Sequence, residues 1–406
     1  MTEYSAIVHY AIDRVEKEKM MIIDSINLIR TRDVPRYAWS RIGQFQNIQH
    51  TSDLICQLHS ISEADRDNRK NAKSQAEQIK YCLSQAQEYF DAATAVSLAT
   101  RPVLLYYAVM SMALAEVLLK QTGDSRLSKL REQHNCHGLQ LSVHTDPKPD
   151  ERLAQSASTL VAKAQKDSLG SRRGTFEVWR TSAREYPAGG WHTINLPELG
   201  AEQRQYRTLL TPADEPPPPL PRSGITLLDC LSELPYMLEL LRRLGVTGNV
   251  VHTKLHSQQT NLPSLPSIQL IVHPNPPGLI EKFGENIRVN PDAVNRLNIK
   301  ELPSGYIMSY VADPGITMSF PNSICMDDES LYFSCSGLNL GEFGSLYVAL
   351  HICGNFARYY PDIWLKHIER NSPLAMAIDE LCAHAFERLP LLTLSELLRV
   401  YHVLQK

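Results

Sequence analysis

The sequence has eight cysteines, at 56, 82, 136, 230, 325, 335, 353 and 382, and no two are spaced as CxxC or gathered into a short framework. That excludes a zinc ribbon built on paired thiolates and a small disulfide-stapled domain. Charge of one sign is also missing. With 41 Lys+Arg against 44 Asp+Glu the formal net charge is -3, so no global field draws the chain to a polyanion, and any nucleic-acid contact needs a local basic patch. GLNLGEFG (337–344) places glycines ahead of a helix but lacks the Lys-Ser/Thr ending of a phosphate loop, which leaves a turn. The opening MTEYSAIVHYAIDRVEKEK lacks a basic leader followed by an apolar core, and a single apolar run, Pro102 to Leu119, approaches the length of a bilayer span. That run carries Ser111, Glu116 and two tyrosines and has no companion, so it reads as a fully buried central helix. The expectation is a reduced, cytoplasmic protein with no membrane, no metal and no cofactor.

What the chain does have is length and apolar content: 406 residues, 43% hydrophobic, enough for a substantial core. Apolar residues at near-helical spacing predict helix over 1–30. The basic, aromatic run RTRDVPRYAWSR (30–41) reads as a helix connection, although arginines interleaved with Tyr37 and Trp39 also suit phosphate clamping and base stacking. After the charged run SEADRDNRKNAK (62–73), a stripe of Ala72, Ala76, Ile79, Leu83, Ala86, Phe90 and Ala93 predicts an amphipathic helix to about 98. Pro102 sits where a helix accepts proline, so 70–98 and 102–120 form a hairpin closed by Gly123.

Beyond HTDPKPDE (144–151) the chain mixes a polar helix with strand-like pieces such as GTFEVWR (174–180), and PPPPLP (216–221) reads as a stiff connector. Residues 227–244 form a helix divided at Pro235. Strands follow at 267–273, 285–290, 305–311, 316–320 and 331–336, and helix returns from about 344 to the end. The reading is therefore α+β and predominantly helical. N- and C-terminal helices bundle around 102–119, and the centre is β-rich and mainly antiparallel. The divisions are an N-terminal helical region (1–145), a mixed connector (146–222), a helix plus β-rich region (223–342), and C-terminal helices packing on the N-terminal region (343–406).

RPVLLYYAVMSMALAEVLL (101–119), HGL (137–139), GTFEVW (174–179), FARYYPDIW (356–364) and LPLLTLSEL (389–397) are similar, in order, to the motifs of the YaaC-like protein family. That resemblance implies an architecture, and with it an interaction or nucleic-acid-binding component of a bacterial defence or stress operon. A shorter element, Arg131-Glu132 followed by His137, resembles the Arg/His motif of the HEPN superfamily, helical proteins many of which are metal-independent ribonucleases. It implies a homodimer or an operon-encoded protein partner completing the cleft, and RNA as substrate.

Metal-free RNA cleavage needs a base for the 2'-hydroxyl, a cation for the phosphorane and an acid for the leaving oxygen. His137 and Arg131 have the chemistry for those catalytic roles. On an ideal helix six residues leave the two side chains about 120° apart, so they converge only if Gly138 ends the helix and its final turn distorts. The alternative is that His137-Gly138 caps the helix. His134, Cys136, His137 and His144 lack the paired spacing of a zinc site. For ligand binding the candidates are Arg101, Tyr106, His134, Arg358, Tyr359 and Trp364. An arginine beside aromatics suits a phosphorylated or planar ligand. Equally, Pro361 starts a helix, Trp364 fills the core and Arg358 pairs with a buried carboxylate.

Overall fold

The computed structural model describes residues 25–120, 126–133, 135–182, 188–196, 201–209, 219–259, 267–273, 288–289, 298–303, 305–311, 318–319 and 323–406. Helix is expected over 1–30, yet Ser25–Ile29 is a strand, β1, lying parallel to Val400–Leu404 at the other end of the chain. A five-residue run with Ile26, Leu28 and Ile29 fits either period, and only the partner strand decides. Residues 1–24, Gly123, and Pro216 to Pro218 of the proline run lie outside the described residues.

The expected connection at 30–41 is mostly helix. In α1 (Val34–Ile42) the Asp33 carboxylate caps the Arg36 N–H at 3.0 Å and Pro35 sits in the first turn. Asn47 caps α2 (Ile48–Leu58) in the same way. The predicted hairpin is α3 (Arg66–Ala95) and α4 (Arg101–Lys120). The alanine-rich stripe of α3 is buried throughout, so the two backbones approach closely. The Gln75 side chain donates to the Leu118 carbonyl at 2.9 Å, which ties the start of α3 to the end of α4.

The chain then runs through α5 (Leu127–Gln133), β2 (Leu139–Val143), α6 (Leu153–Ser158) and β3 (Leu160–Ala164) to α7 (Thr175–Thr181). The strand expected at 174–180 is this helix. Phe176 and Trp179, three apart, are both buried on one helical face, where strand alternation would send them to opposite faces. Strands β4 (Ala188–Leu196) and β5 (Ala201–Leu209) follow, then β6 (Ile225–Thr226). The helix expected over 227–244 is divided as anticipated into α8 (Leu227–Ser232) and α9 (Leu238–Arg243), with a 3-10 turn from Pro235 between them.

The strands after it are β7 (Val250–Gln259), β8 (Ser267–His273), β9 (Arg288–Val289), β10 (Asn298–Leu302), β11 (Gly305–Val311), β12 (Met318–Ser319), β13 (Ser323–Cys325) and β14 (Leu331–Ser334). The main sheet has the order β10-β11-β8-β7-β14-β13 with antiparallel neighbours; β4 adds in parallel to β7 and carries β5. A smaller antiparallel sheet has the order β2-β3-β6. The chain ends with α10 (Gly341–Tyr359), α11 (Pro361–Glu369), α12 (Pro373–Leu398) and β15 (Val400–Leu404), so the helix expected to the terminus gives way to a strand. Arg399, left-handed at φ 53°, makes that switch.

The fold is thus α+β and helix-dominated. Helix α4 is long and apolar enough to cross a bilayer, but 72% of its apolar window is buried against other elements. One hydrophobic cluster contains residues of α3, α4, α7, α10 and α12, so both chain ends share a core. A Cβ added to Gly354 would lie 3.0 Å from the Pro102 carbonyl oxygen, which shows how tightly α10 is pressed on α4. Two buried charges are paired across these helices: Lys120 with Glu396, and Arg388 with Glu342.

Candidate functional site

HGL at 137–139 and GTFEVW at 174–179, remote in sequence, are clasped together. Gly138 (φ +88°) and Gly174 (φ +102°) cross so closely that a Cβ on Gly174 would lie 2.2 Å from the Gly138 nitrogen. The first turn of α7 is bonded to the loop before β2: the Thr175 N–H donates to the Cys136 carbonyl at 2.9 Å and the Phe176 N–H to that of His137 at 3.1 Å. The Gly138 N–H in turn donates to Gln165 Oε1 at 2.9 Å. Gly138 therefore does not cap α5, which ends at Gln133. Its left-handed conformation serves the backbone crossing, and the helical-wheel separation of Arg131 and His137 no longer applies.

The clasp forms one wall of an open cleft of about 990 Å³ between α3, α4, α5 and α7. Its floor is apolar: Met110, Leu114, Val117, Leu127, Leu130 and Val178. Met110 packs on the cluster that α4 shares with α10, Leu114 and Leu127 on another that includes Phe45, Ile79 and Leu118, and Leu130 on both. Gln78 accepts the Leu127 N–H at 2.7 Å and so fixes the start of α5 on α3.

Arg131, Asn135, Cys136 and His137 line the same cleft. Both sequence-predicted catalytic residues are exposed to solvent there. His137 Nδ1 lies 3.2 Å from the Met110 sulfur, and its ring is 5.7 Å from that of Tyr106. In the tautomer that donates Nδ1–H to the sulfur, the Nε2 lone pair is left for a ligand. Partial burial, with the Arg358 guanidinium nearby, holds this imidazole below its ordinary pKa. Cys82 on the floor is pushed up to about 12 by burial, against the pull of Arg131, and stays a neutral thiol.

Sequence reasoning missed Arg173, whose guanidinium donates to Asn135 Oδ1 and, at 3.4 Å, to the Cys136 sulfur. Cys136 is the one cysteine of the eight that is not buried. The position of Arg173 directly before Gly174 was the available signal, but its partners 37 and 38 residues away carry no local pattern.

Behind His137 lies a buried polar group of Tyr106, Tyr347 and His351. Tyr106 is 5.1 Å from the His351 ring and 6.2 Å from that of Tyr347. Burial and the neighbouring His137 push His351 down to about 3, so it is neutral. Further along α4, buried Glu116 accepts the Trp179 indole N–H at 2.8 Å.

Of the sequence-predicted ligand residues that are described, none is among those lining this cleft. Arg101 pairs with Asp379 at 3.0 Å and donates to the Val96 carbonyl. Tyr106 is in the core, and Trp364 is 1% exposed, with its indole N–H donating to the Ala99 carbonyl. Trp364 thus fills the core, and Pro361 starts α11, as the architectural reading expects. Arg358 departs from that reading. It donates to the Tyr107 hydroxyl at 2.6 Å and covers the exposed Tyr359 ring, because the end of α10 faces a tyrosine of α4. His134 lies outside the described residues.

The family model described as YaaC-like Protein matches residues 44–397. The chain belongs to the YaaC-like family. The match runs from before α2 to the last turn of α12, so it includes every element that builds the cleft of this YaaC-like chain. No curated protein and no solved structure matches it.

Proposed function

We propose that this YaaC-like protein works as a binding component whose ligand site is the cleft between α3, α4, α5 and α7. The observation that carries this reading is an open cavity of about 990 Å³ with an apolar floor and a polar wall fixed by the Gly138–Gly174 clasp. That size and lining are those of small-molecule sites, at the upper end of roughly 300–1,000 Å³. The cleft carries its own reporter, because Cys136 is the one unburied thiol. A ligand in the cleft is expected to slow Cys136 alkylation and raise the melting temperature, and Leu114→Trp, which fills the floor, is expected to abolish both effects. Ligands whose effects survive Leu114→Trp would sink the assignment.

A second reading is HEPN-type cleavage of RNA, with His137 as base and Arg131 as phosphate ligand, in a homodimer or with an operon-encoded partner completing the cleft. It is supported by the position of both residues on one solvent-open cleft. Against it, Arg131 is the one permanent cation among the described lining residues, whereas a nucleic-acid backbone calls for several. Arg131→Ala with His137→Ala tests this reading directly: RNA cleavage unchanged in the double variant removes it.

A further inference from the structure

Fourteen described residues line the cleft, and the balance of their chemistry is uneven. Six are aliphatic or methionine, Arg131 carries the one permanent charge, and none is Asp, Glu or Lys. The single aromatic ring besides His137 is Tyr81, 58% exposed at the rim, where its hydroxyl donates to Glu77. We infer that the cleft takes an aliphatic chain ending in a carboxylate, with the chain on the Met110–Leu114–Val117–Leu130 floor and the carboxylate at Arg131. This inference rests on the binding-cleft reading and names its ligand class.

Each alternative leaves something uncompensated. A nucleotide base needs a stacking platform, and the floor offers none. A polyphosphate brings more negative charge than one guanidinium balances, and a cationic ligand finds no carboxylate among the described lining residues. A neutral chain would cover the Arg131 side of the cleft without replacing its hydration. A single carboxylate matches a single guanidinium in charge and in its two-oxygen geometry. Asn135 lies on the same wall with its Oδ1 engaged by Arg173, so its amide N–H groups are left to donate to an acceptor. The thiol of Cys82 stays protonated beneath and keeps the floor neutral. Met110 contributes a flexible thioether that adapts to chains of differing shape.

The test uses the full-length protein, dodecanoate below its micellar concentration, and three comparison probes: dodecan-1-ol, dodecyltrimethylammonium and adenosine 5'-monophosphate. Calorimetry gives affinity, and protection of Cys136 from iodoacetamide reports occupancy of the cleft. Dodecanoate is expected to bind and protect, with each comparison probe weaker by tenfold or more. Arg131→Met is expected to cost dodecanoate roughly tenfold or more in affinity, the scale of one lost charge-assisted hydrogen bond, and to leave dodecan-1-ol unchanged. Lys73→Met, which removes an exposed positive charge on α3 outside the cleft lining, is expected to change neither.

Dodecanoate binding that ignores Arg131→Met, or that matches Lys73→Met in sensitivity, overturns the inference. So does adenosine 5'-monophosphate, the alcohol or the cation binding as well as dodecanoate. In those cases protection of Cys136 by another probe keeps the cleft as a binding site of a different class. If no probe protects Cys136, the inference fails together with the binding-cleft reading.

Discussion

Glu233 gives the sharpest quantitative prediction. It follows α8, is 4% exposed, and its carboxylate accepts the hydroxyl of Ser334 at the end of β14. Burial, and less so the nearby Asp229, push its carboxyl from 4.5 up to about 7 against the downward pull of Ser334 and Ser336. The folded protein therefore holds this proton more tightly than the unfolded chain does. Below pH 4.5 both states are protonated and the site carries no penalty. Between pH 4.5 and about 7 the unfolded chain ionises first and stability falls; above about 7 the folded carboxyl ionises as well and the loss levels off. The gap between 4.5 and about 7 corresponds to roughly 3 kcal/mol at its full extent. Glu233→Gln keeps the shape and an acceptor for Ser334 but does not titrate. Urea unfolding of both proteins, followed by tryptophan fluorescence, is expected to show the variant gaining about 3 kcal/mol on the parent between pH 4 and pH 8. A stability difference that stays flat across that range would refute the reasoning.

Two further outcomes follow from the same contacts. Gly174→Ala places a methyl 2.2 Å from the Gly138 nitrogen at a φ of +102°, so it is expected to cost about 3 kcal/mol or more and to open the cleft wall. Urea unfolding measures the first effect, and faster Cys136 labelling by a thiol reagent the second. Arg388→Met strands Glu342 without the guanidinium that holds both its oxygens, at 2.5 and 2.8 Å, and a loss of about 3–5 kcal/mol is expected. The double variant Arg388→Met with Glu342→Leu is expected to recover much of that loss, which chemical denaturation of all four proteins measures.

Much of the helical framework was legible in the chain because its signals are local. The Ala72–Ala93 stripe, Pro102 at a first turn, Pro235 as a divider and Pro361 ahead of Trp364 each act within a few residues, and each is where it was expected. The strands at 267–273 and 305–311 were equally plain. What failed were elements with no local pattern strong enough to override a distant partner. Ser25–Ile29 and Val400–Leu404 are strands because they pair with each other. GTFEVWR satisfies a strand pattern, and only the core that receives Phe176 and Trp179 together makes it a helix.

The site divides in the same way. Sequence alone determined the buried apolar helix at 101–120 and the change of character after His137 that leads into the 144–151 break. Helical periodicity and the helix-ending loop are properties of neighbouring residues, so no tertiary knowledge was required. Only the folded chain decided that His137 and Arg131 line a cleft between α3, α4, α5 and α7, that Cys136 faces it beside Arg173, and that Arg358 bonds Tyr107 instead of a carboxylate. Those contacts join residues tens to hundreds of positions apart. Their geometry is fixed by how closely helices and the two glycine backbones pack, and spacing along the chain does not encode it.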